Sequence, residues 1–177
     1  MDALMQLAAA FPDAAKDIRL NLTAVLQQSV LSPAQRFGVA TAVAHASRAP
    51  ALVTALASAA GTELTPAVAA DAQAAAALMA MNNVYYRARH MLGKAEYAAM
   101  PPRLRMQRLA APAGAKVDFE LFALAVSAVF GCTTCVQAHE RAVVEGGLST
   151  AQVHDALRIA AVVHAAALLV ATAPVAA

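Results

Sequence analysis

An all-α fold is what this sequence predicts: a helical bundle of about seven to nine helices forming a single domain over residues 1–177. Three observations carry that reading. Alanine fills 51 of the 177 positions, and alanine is the strongest helix former while strands are depleted in it. No stretch sustains the alternation of polar with apolar β-branched residues that a strand requires. Ser32-Pro33 and Thr65-Pro66 each place an N-cap side chain before a proline at the first helical position.

The elements follow in order. Asp13 to Gln28 reads as a helix with Ile18, Leu22, Val25 and Leu26 on one face. Ser32-Pro33 opens a helix to about Ser47, and Pro50 restarts the chain into Ala51–Ala60, which Gly61 ends. Thr65-Pro66 launches a long alanine-rich helix to about Tyr86, followed by a shorter basic helix to Gly93. Residues 93–115, with Pro101-Pro102, Pro112 and Gly114, form a loop-rich seam. Asp118 reads as the N-cap of a helix over Phe119–Phe130, and Gly131 breaks it. A helix from Cys132 to about Val144 ends at Gly146-Gly147, and Ser149 or Thr150 caps a last helix to about Thr172, before Pro174.

One regularity spans the chain. Leu64-Thr65-Pro66-Ala67-Val68-Ala69-Ala70-Asp71-Ala72 aligns with Leu148-Ser149-Thr150-Ala151-Gln152-Val153-His154-Asp155-Ala156 at a constant offset of 84. The shared Leu, cap residue and Asp predict a degenerate duplication, approximately residues 34–90 and 116–173.

Composition narrows the function. Charged residues make up 14% of the chain, against about 25% in ordinary soluble domains, so apolar surface is hidden in an oligomer or touches a membrane. The uncharged runs Leu121–His139 and Ile159–Ala177 approach spanning length. The first carries Gly, Thr, Gln and His, the second leans on Ala, and both read as buried helices rather than membrane spans. A net charge of +2 with scattered cations predicts no nucleic-acid partner. Asp2 stands where a signal peptide wants a cation, predicting a cytoplasmic protein in which two cysteines mean redox or metal chemistry.

Chemistry concentrates in Glu120 and Cys132-Thr133-Thr134-Cys135-Val136-Gln137-Ala138-His139. At about 100° per residue, Cys132, Cys135 and His139 lie within about 60° of one another on a helix. Two thiols so spaced can close a local disulfide, and free amides at a helix start favour a thiolate. His139 is placed to take or return a proton near neutral pH. Glu120 can orient that imidazole if its helix packs back across Gly131, which gives nucleophile, base and orienter. Two readings compete. The cysteines can be small buried core residues, or Cys132, Cys135, His139 and Glu120 can hold a structural zinc in a helical binding module. A thioredoxin-like domain would need a βαβ context that the sequence lacks.

The Glu, CxxC and His spacing resembles that of the alkyl hydroperoxidase D (AhpD) family, in the carboxymuconolactone decarboxylase-like superfamily. The similarity extends to Lys16-Asp17-Ile18-Arg19-Leu20-Asn21-Leu22 and Met81-Asn82-Asn83-Val84-Tyr85-Tyr86-Arg87. It implies an all-helical homotrimer with an antioxidant role: weak peroxidase activity, and re-reduction of a partner peroxiredoxin (AhpC). Electrons would come from NADH through dihydrolipoamide dehydrogenase and the dihydrolipoyl group of a lipoylated dihydrolipoamide acyltransferase. No flavin, haem or metal is implied in the chain. Carried over, Cys135 is the thiol that becomes sulfenic acid, Cys132 its proton donor and resolving partner, and His139 and Glu120 the proton relay.

Two points stand against a simple transfer. Many relatives carry His immediately before the second Cys, where this chain has Thr134, which cannot hold a positive charge. A helix beginning at Cys132 also aims its free amides there, whereas the resemblance makes Cys135 the attacked sulfur. The superfamily also leaves open a decarboxylase-type activity, which would not need the thiols.

Other polar residues have plainer readings. His45 and His164 read as hydrogen-bonded core or interface residues, and His154 as surface. The patch Asn82 to His90 bonds between helices or subunits, or walls the thiol site. Arg103, Arg105 and Arg108 are solvated or steer an acidic partner.

Overall fold

The computed structural model describes residues 1–172 and contains, among them, ten α-helices and no strand. They are α1 (Asp2–Ala9), α2 (Lys16–Gln27), α3 (Pro33–Ala46), α4 (Pro50–Ala60), α5 (Pro66–Leu92), α6 (Ala95–Ala99), α7 (Gln107–Ala110), α8 (Lys116–Phe130), α9 (Thr133–Glu145) and α10 (Thr150–Thr172). Pro174 and the last residue of the second repeat, Ala173, lie outside the described residues.

Cap chemistry explains why several helices start where the sequence places them. Ser32 accepts from the Gln35 amide while Gln35 returns a bond to the Ser32 amide, a complete capping box ahead of Pro33. Thr65 accepts from the Val68 amide ahead of Pro66, and Ser149 with Gln152 repeats the box at α10. Where no cap is legible the expected boundaries move. α1 begins at Asp2, with Met1 as an N-cap that makes no side-chain bond, and has no counterpart among the expected helices. The expected break near Tyr86 is absent, and α5 runs unbroken to an αL cap at Gly93. The seam holds two short helices, α6 and α7, and helix α8 starts at Lys116. Asp118 is therefore in its first turn rather than the N-cap, and accepts from Gln35 Nε2 at 2.8 Å. Three added helices and one fusion separate ten from the expected count.

The core lies between α3, α5, α8 and α10, which pack on one another. Residues Phe119 through Ser127 of α8 are all buried, so this helix shows no amphipathic stripe because it has no solvent face. Phe119 and Phe122 contribute about 1.5–3 kcal/mol each by burial. Phe122 rests against Gly38 of α3, where an added Cβ would stand 2.2 Å from its Cζ. That glycine serves close approach of the two helices.

Helix α10 alone, among the described residues, is long and apolar enough to cross a membrane by length and composition. Its Val153, Ala156, Ile159, Ala160, Val163, Ala166 and Ala167 face the core, while His154, Arg158 and His164 lie exposed. That is the pattern of a core helix.

Adding 84 to the bounds of α3 and α4 gives 117–130 and 134–144, each bound within one residue of α8 and α9, and Pro66 falls on Thr150. Side chains repeat the relation. Asp71, 2% exposed, accepts from the amides of Ala113 at 3.0 Å and Gly114 at 2.7 Å, just before α8, and from Arg108. Asp155, 3% exposed, accepts from Ser29 Oγ at 2.5 Å and the Val30 amide at 2.9 Å, just before α3, and from Arg158. Positions 29 and 30 are 84 before 113 and 114, so each aspartate clamps the loop that enters the other half. Gly38 and Phe122, which touch each other, are likewise 84 apart.

Candidate functional site

Helix α8 ends at Gly131, whose φ of 66° puts it in the left-handed region that glycine adopts without a Cβ penalty. The guanidinium of Arg87 donates to the freed carbonyl of Phe130, and the Cys132 amide donates back to Ser127 at 3.2 Å. The chain therefore leaves α8 in one fixed direction. Cys132 is extended and forms the N-cap of α9, so the helix proper begins at Thr133 rather than Cys132. Cys135 lies in the first turn, where the amides have no partner within the helix.

Cys132 and Cys135 are joined in a disulfide, their Cα atoms 5.3 Å apart. The two sulfurs differ in access: Cys132 is fully buried, whereas Cys135 is 7% exposed and lines a cavity of about 270 Å³. Thr134, at the position held by His in many relatives, contacts Cys132 Sγ through its hydroxyl at 3.5 Å, not Cys135.

Helices α8 and α9 pack on one another, which brings Glu120 onto His139. Glu120 Oε2 accepts from Nδ1 of the imidazole at 2.6 Å, with both residues buried. A carboxylate on Nδ1 holds the ring N–H there and fixes the tautomer. Nε2 faces the thioether of Met79 at 3.1 Å. The structure thus joins Glu120 to His139 and Cys132 to Cys135. His139 and Cys135 share the cavity wall but make no direct hydrogen bond in the disulfide form.

The remaining wall comes from α9 itself and from elements distant in sequence. Asn82, Tyr86, Met106, Leu109, Thr134 and Ala138 complete the lining. Met106 and Leu109 arrive from the seam, which the Asp71 clamp holds against α5. Arg108 is thereby an ion-pair partner of Asp71 and not a free steering charge. The polar patch on α5 divides by role. Asn83 accepts from Ser127 between helices at 3.1 Å, Arg87 caps α8, and Asn82 and Tyr86 wall the thiol site. Sequence reasoning missed Met79, Met106 and Leu109, because nothing local distinguishes them from core residues. The arrangement also bears on zinc: the two sulfurs are bonded to each other, and His139 is engaged at both nitrogens. Among the described residues no cluster of three or more His, Cys, Asp or Glu is placed to hold a metal ion.

The other histidines stay outside this site. His164 Nδ1 bonds Ser47 Oγ at 2.9 Å on an exposed surface, His154 is exposed, and half-buried His45 has its pKa lowered from 6.5 by desolvation.

A comparison with known sequences adds identity to geometry. The profile of the Carboxymuconolactone decarboxylase family matches residues 95–177. A protein of Anaeromyxobacter sp. (strain K), named alkyl hydroperoxide reductase AhpD, is 63% identical over 167 residues, covering 94% of this chain and 88% of its own. One of the same name from Anaeromyxobacter dehalogenans (strain 2CP-1 / ATCC BAA-258) is 64% identical over 94% of this chain and 90% of its own. Another, from Bradyrhizobium sp. (strain BTAi1 / ATCC BAA-1182), is 46% identical over 98% of this chain and 96% of its own.

Proposed function

The chain belongs to the AhpD family of alkyl hydroperoxide reductases, and from that premise we propose that it is an antioxidant thiol oxidoreductase. It reduces organic hydroperoxides weakly by itself and re-reduces a partner peroxiredoxin (AhpC) with electrons from a dihydrolipoyl dithiol. One observation carries this reading: of two bonded sulfurs only Cys135 reaches a cavity, and that cavity also holds an imidazole oriented by a carboxylate.

The reaction begins from the dithiol. Cys135 thiolate attacks the hydroperoxide, an S–O bond forms as the O–O bond breaks, and the alkoxide leaves with a proton from His139. Sulfur is oxidised by two electrons and the peroxide reduced by two. Cys132 then displaces hydroxide from the sulfenic acid, giving the disulfide and water. A dihydrolipoyl thiolate opens the disulfide at Cys135, its second thiol resolves the mixed disulfide, and the dithiol returns as lipoamide is released. Reduction of the peroxiredoxin runs the same exchange against a protein disulfide. The exposure difference supports these roles, since attack needs the reachable sulfur and resolution needs only its neighbour.

The proposal extends to the setting. The dihydrolipoyl group is that of a lipoylated dihydrolipoamide acyltransferase, recharged by dihydrolipoamide dehydrogenase and NADH, and the chain itself carries no resident cofactor. The low charge supports a homotrimer with apolar faces buried between protomers, working in the cytoplasm. The reciprocal Asp71 and Asp155 clamps and the coincident helix bounds support a single domain grown from a degenerate duplication, in which only the second half retains thiols.

The test is NADH oxidation coupled through lipoamide and lipoamide dehydrogenase to a hydroperoxide, with wild type, Cys135→Ser and Cys132→Ser. Activity in the wild type and its loss in both variants is expected. Full activity without either thiol would favour the decarboxylase-type reading.

A further inference from the structure

Two observations at the thiol site go beyond a generic peroxide. Asn82 is 6% exposed, yet its Oδ1 is buried without a hydrogen-bond partner, on the wall of the cavity that holds Cys135. A buried amide oxygen without a partner is destabilising, and an O–H donor in the cavity would satisfy it. Next to this cavity, and sharing Tyr86 and Thr134 with it, lies a second cleft of about 430 Å³ bordered by Arg89, His90 and Lys94. No carboxylate lines either space, and among the described residues Arg89 and Lys94 form no ion pair. Arg89 lies over the rings of Tyr85 and Tyr86, 5.7 and 5.3 Å from their centroids, which holds the guanidinium at the edge of the cleft.

Polar hook and apolar wall thus line one cavity, and the cationic cleft adjoins it at Tyr86 and Thr134. We propose that the two spaces form one site for an amphipathic hydroperoxide with a carboxylate head. Its O–H donates to Asn82 beside Cys135, its alkyl body lies on Met106, Leu109 and Ala138, and its carboxylate meets Arg89 and Lys94. This rests on the peroxidase reading above and specifies its substrate class.

The test compares a medium-chain hydroperoxide bearing a terminal carboxylate with its methyl ester, in wild type and in Arg89→Gln/Lys94→Gln. Charge-assisted hydrogen bonds to one carboxylate predict about a tenfold preference in kcat/KM for the acid. The preference should shrink with added salt and vanish in the double variant. A second arm is independent of turnover. The saturated fatty acid of the same chain length should slow alkylation of reduced Cys135 by iodoacetamide in the wild type, but not in the double variant. Equal rates on acid and ester in the wild type overturn the proposal while leaving the peroxidase reading intact. If neither hydroperoxide is reduced, the peroxidase reading fails, and the alkylation arm alone decides whether the groove takes an anionic amphiphile.

Discussion

At the scale of single residues, the site works by dividing one imidazole between two partners. Glu120 holds Nδ1 at 2.6 Å and Met79 faces Nε2 at 3.1 Å, so both ring nitrogens have a partner. His139→Gln keeps hydrogen-bonding capacity but cannot carry the proton, and should lower peroxide turnover by about 10²–10⁴-fold. Met79→Leu keeps the volume and removes the sulfur. It should leave thermal stability within about 1.5 kcal/mol of wild type while moving the pH dependence of turnover, because the partner of Nε2 is gone. An unmoved pH profile in Met79→Leu would mean the thioether is mere packing. His45 gives a pH effect on stability instead. Its folded pKa lies below 6.5 because burial disfavours the charged ring, so below that pH the unfolded chain binds a proton the folded chain does not. Stability from this group is complete above 6.5 and declines as pH falls toward the folded value. The decline of melting temperature below pH 6.5 should be shallower in His45→Gln, as read by calorimetry at stepped pH.

Single elements show how far sequence carries. The starts of α3, α5 and α10 were legible because a cap side chain and, at α3 and α5, a proline state them locally. The CxxC and its His were legible because four residues make a helical turn. The Glu120–His139 contact needed one further assumption, that α8 and α9 fold back at Gly131. Met79 is sixty positions from His139, and Met106 and Leu109 reach the cavity through a loop held by Asp71, so no local pattern announces them. The fused α5 was missed because Tyr86 to His90 looks like a separate basic stretch, whereas Arg89 packs on both tyrosines within one continuous helix. Helix contacts predict the cost of single changes here. Gly38→Ala gains helix propensity of about 1 kcal/mol but drives a methyl into the buried Phe122 ring. We expect a net loss of about 1–3 kcal/mol, measured by urea denaturation. Asp71→Ala strips the seam of its anchor and leaves Arg108 unpaired. It should cost about 1–3 kcal/mol, because the amides of Ala113 and Gly114 lose their acceptor, and lower peroxide turnover, since Met106 and Leu109 lose their position.

On the proposed duplication the molecule is two halves locked by mutual clamps, with both cysteines in the second. Each buried aspartate sits on the long helix of its own half and fastens the loop that enters the other, so neither half closes its core alone. The deficit of charge that first pointed to buried interfaces is accounted for in part by α8, which spends nine successive residues inside the protomer. On the proposed homotrimer the remainder lies in contacts between protomers, and sedimentation velocity should give a single species at three times the chain mass. The central claim is narrower than the assembly: Cys135 is the sulfur that meets the peroxide and Cys132 the one that resolves it. The most direct test treats the reduced Cys132→Ser variant with one equivalent of hydroperoxide in the presence of dimedone and locates the adduct by peptide mass spectrometry. The account predicts a dimedone adduct on Cys135, formed because no second thiol remains to resolve the sulfenic acid. Absence of any adduct on Cys135, with labelling instead of Cys132 in the reciprocal Cys135→Ser variant, would contradict it.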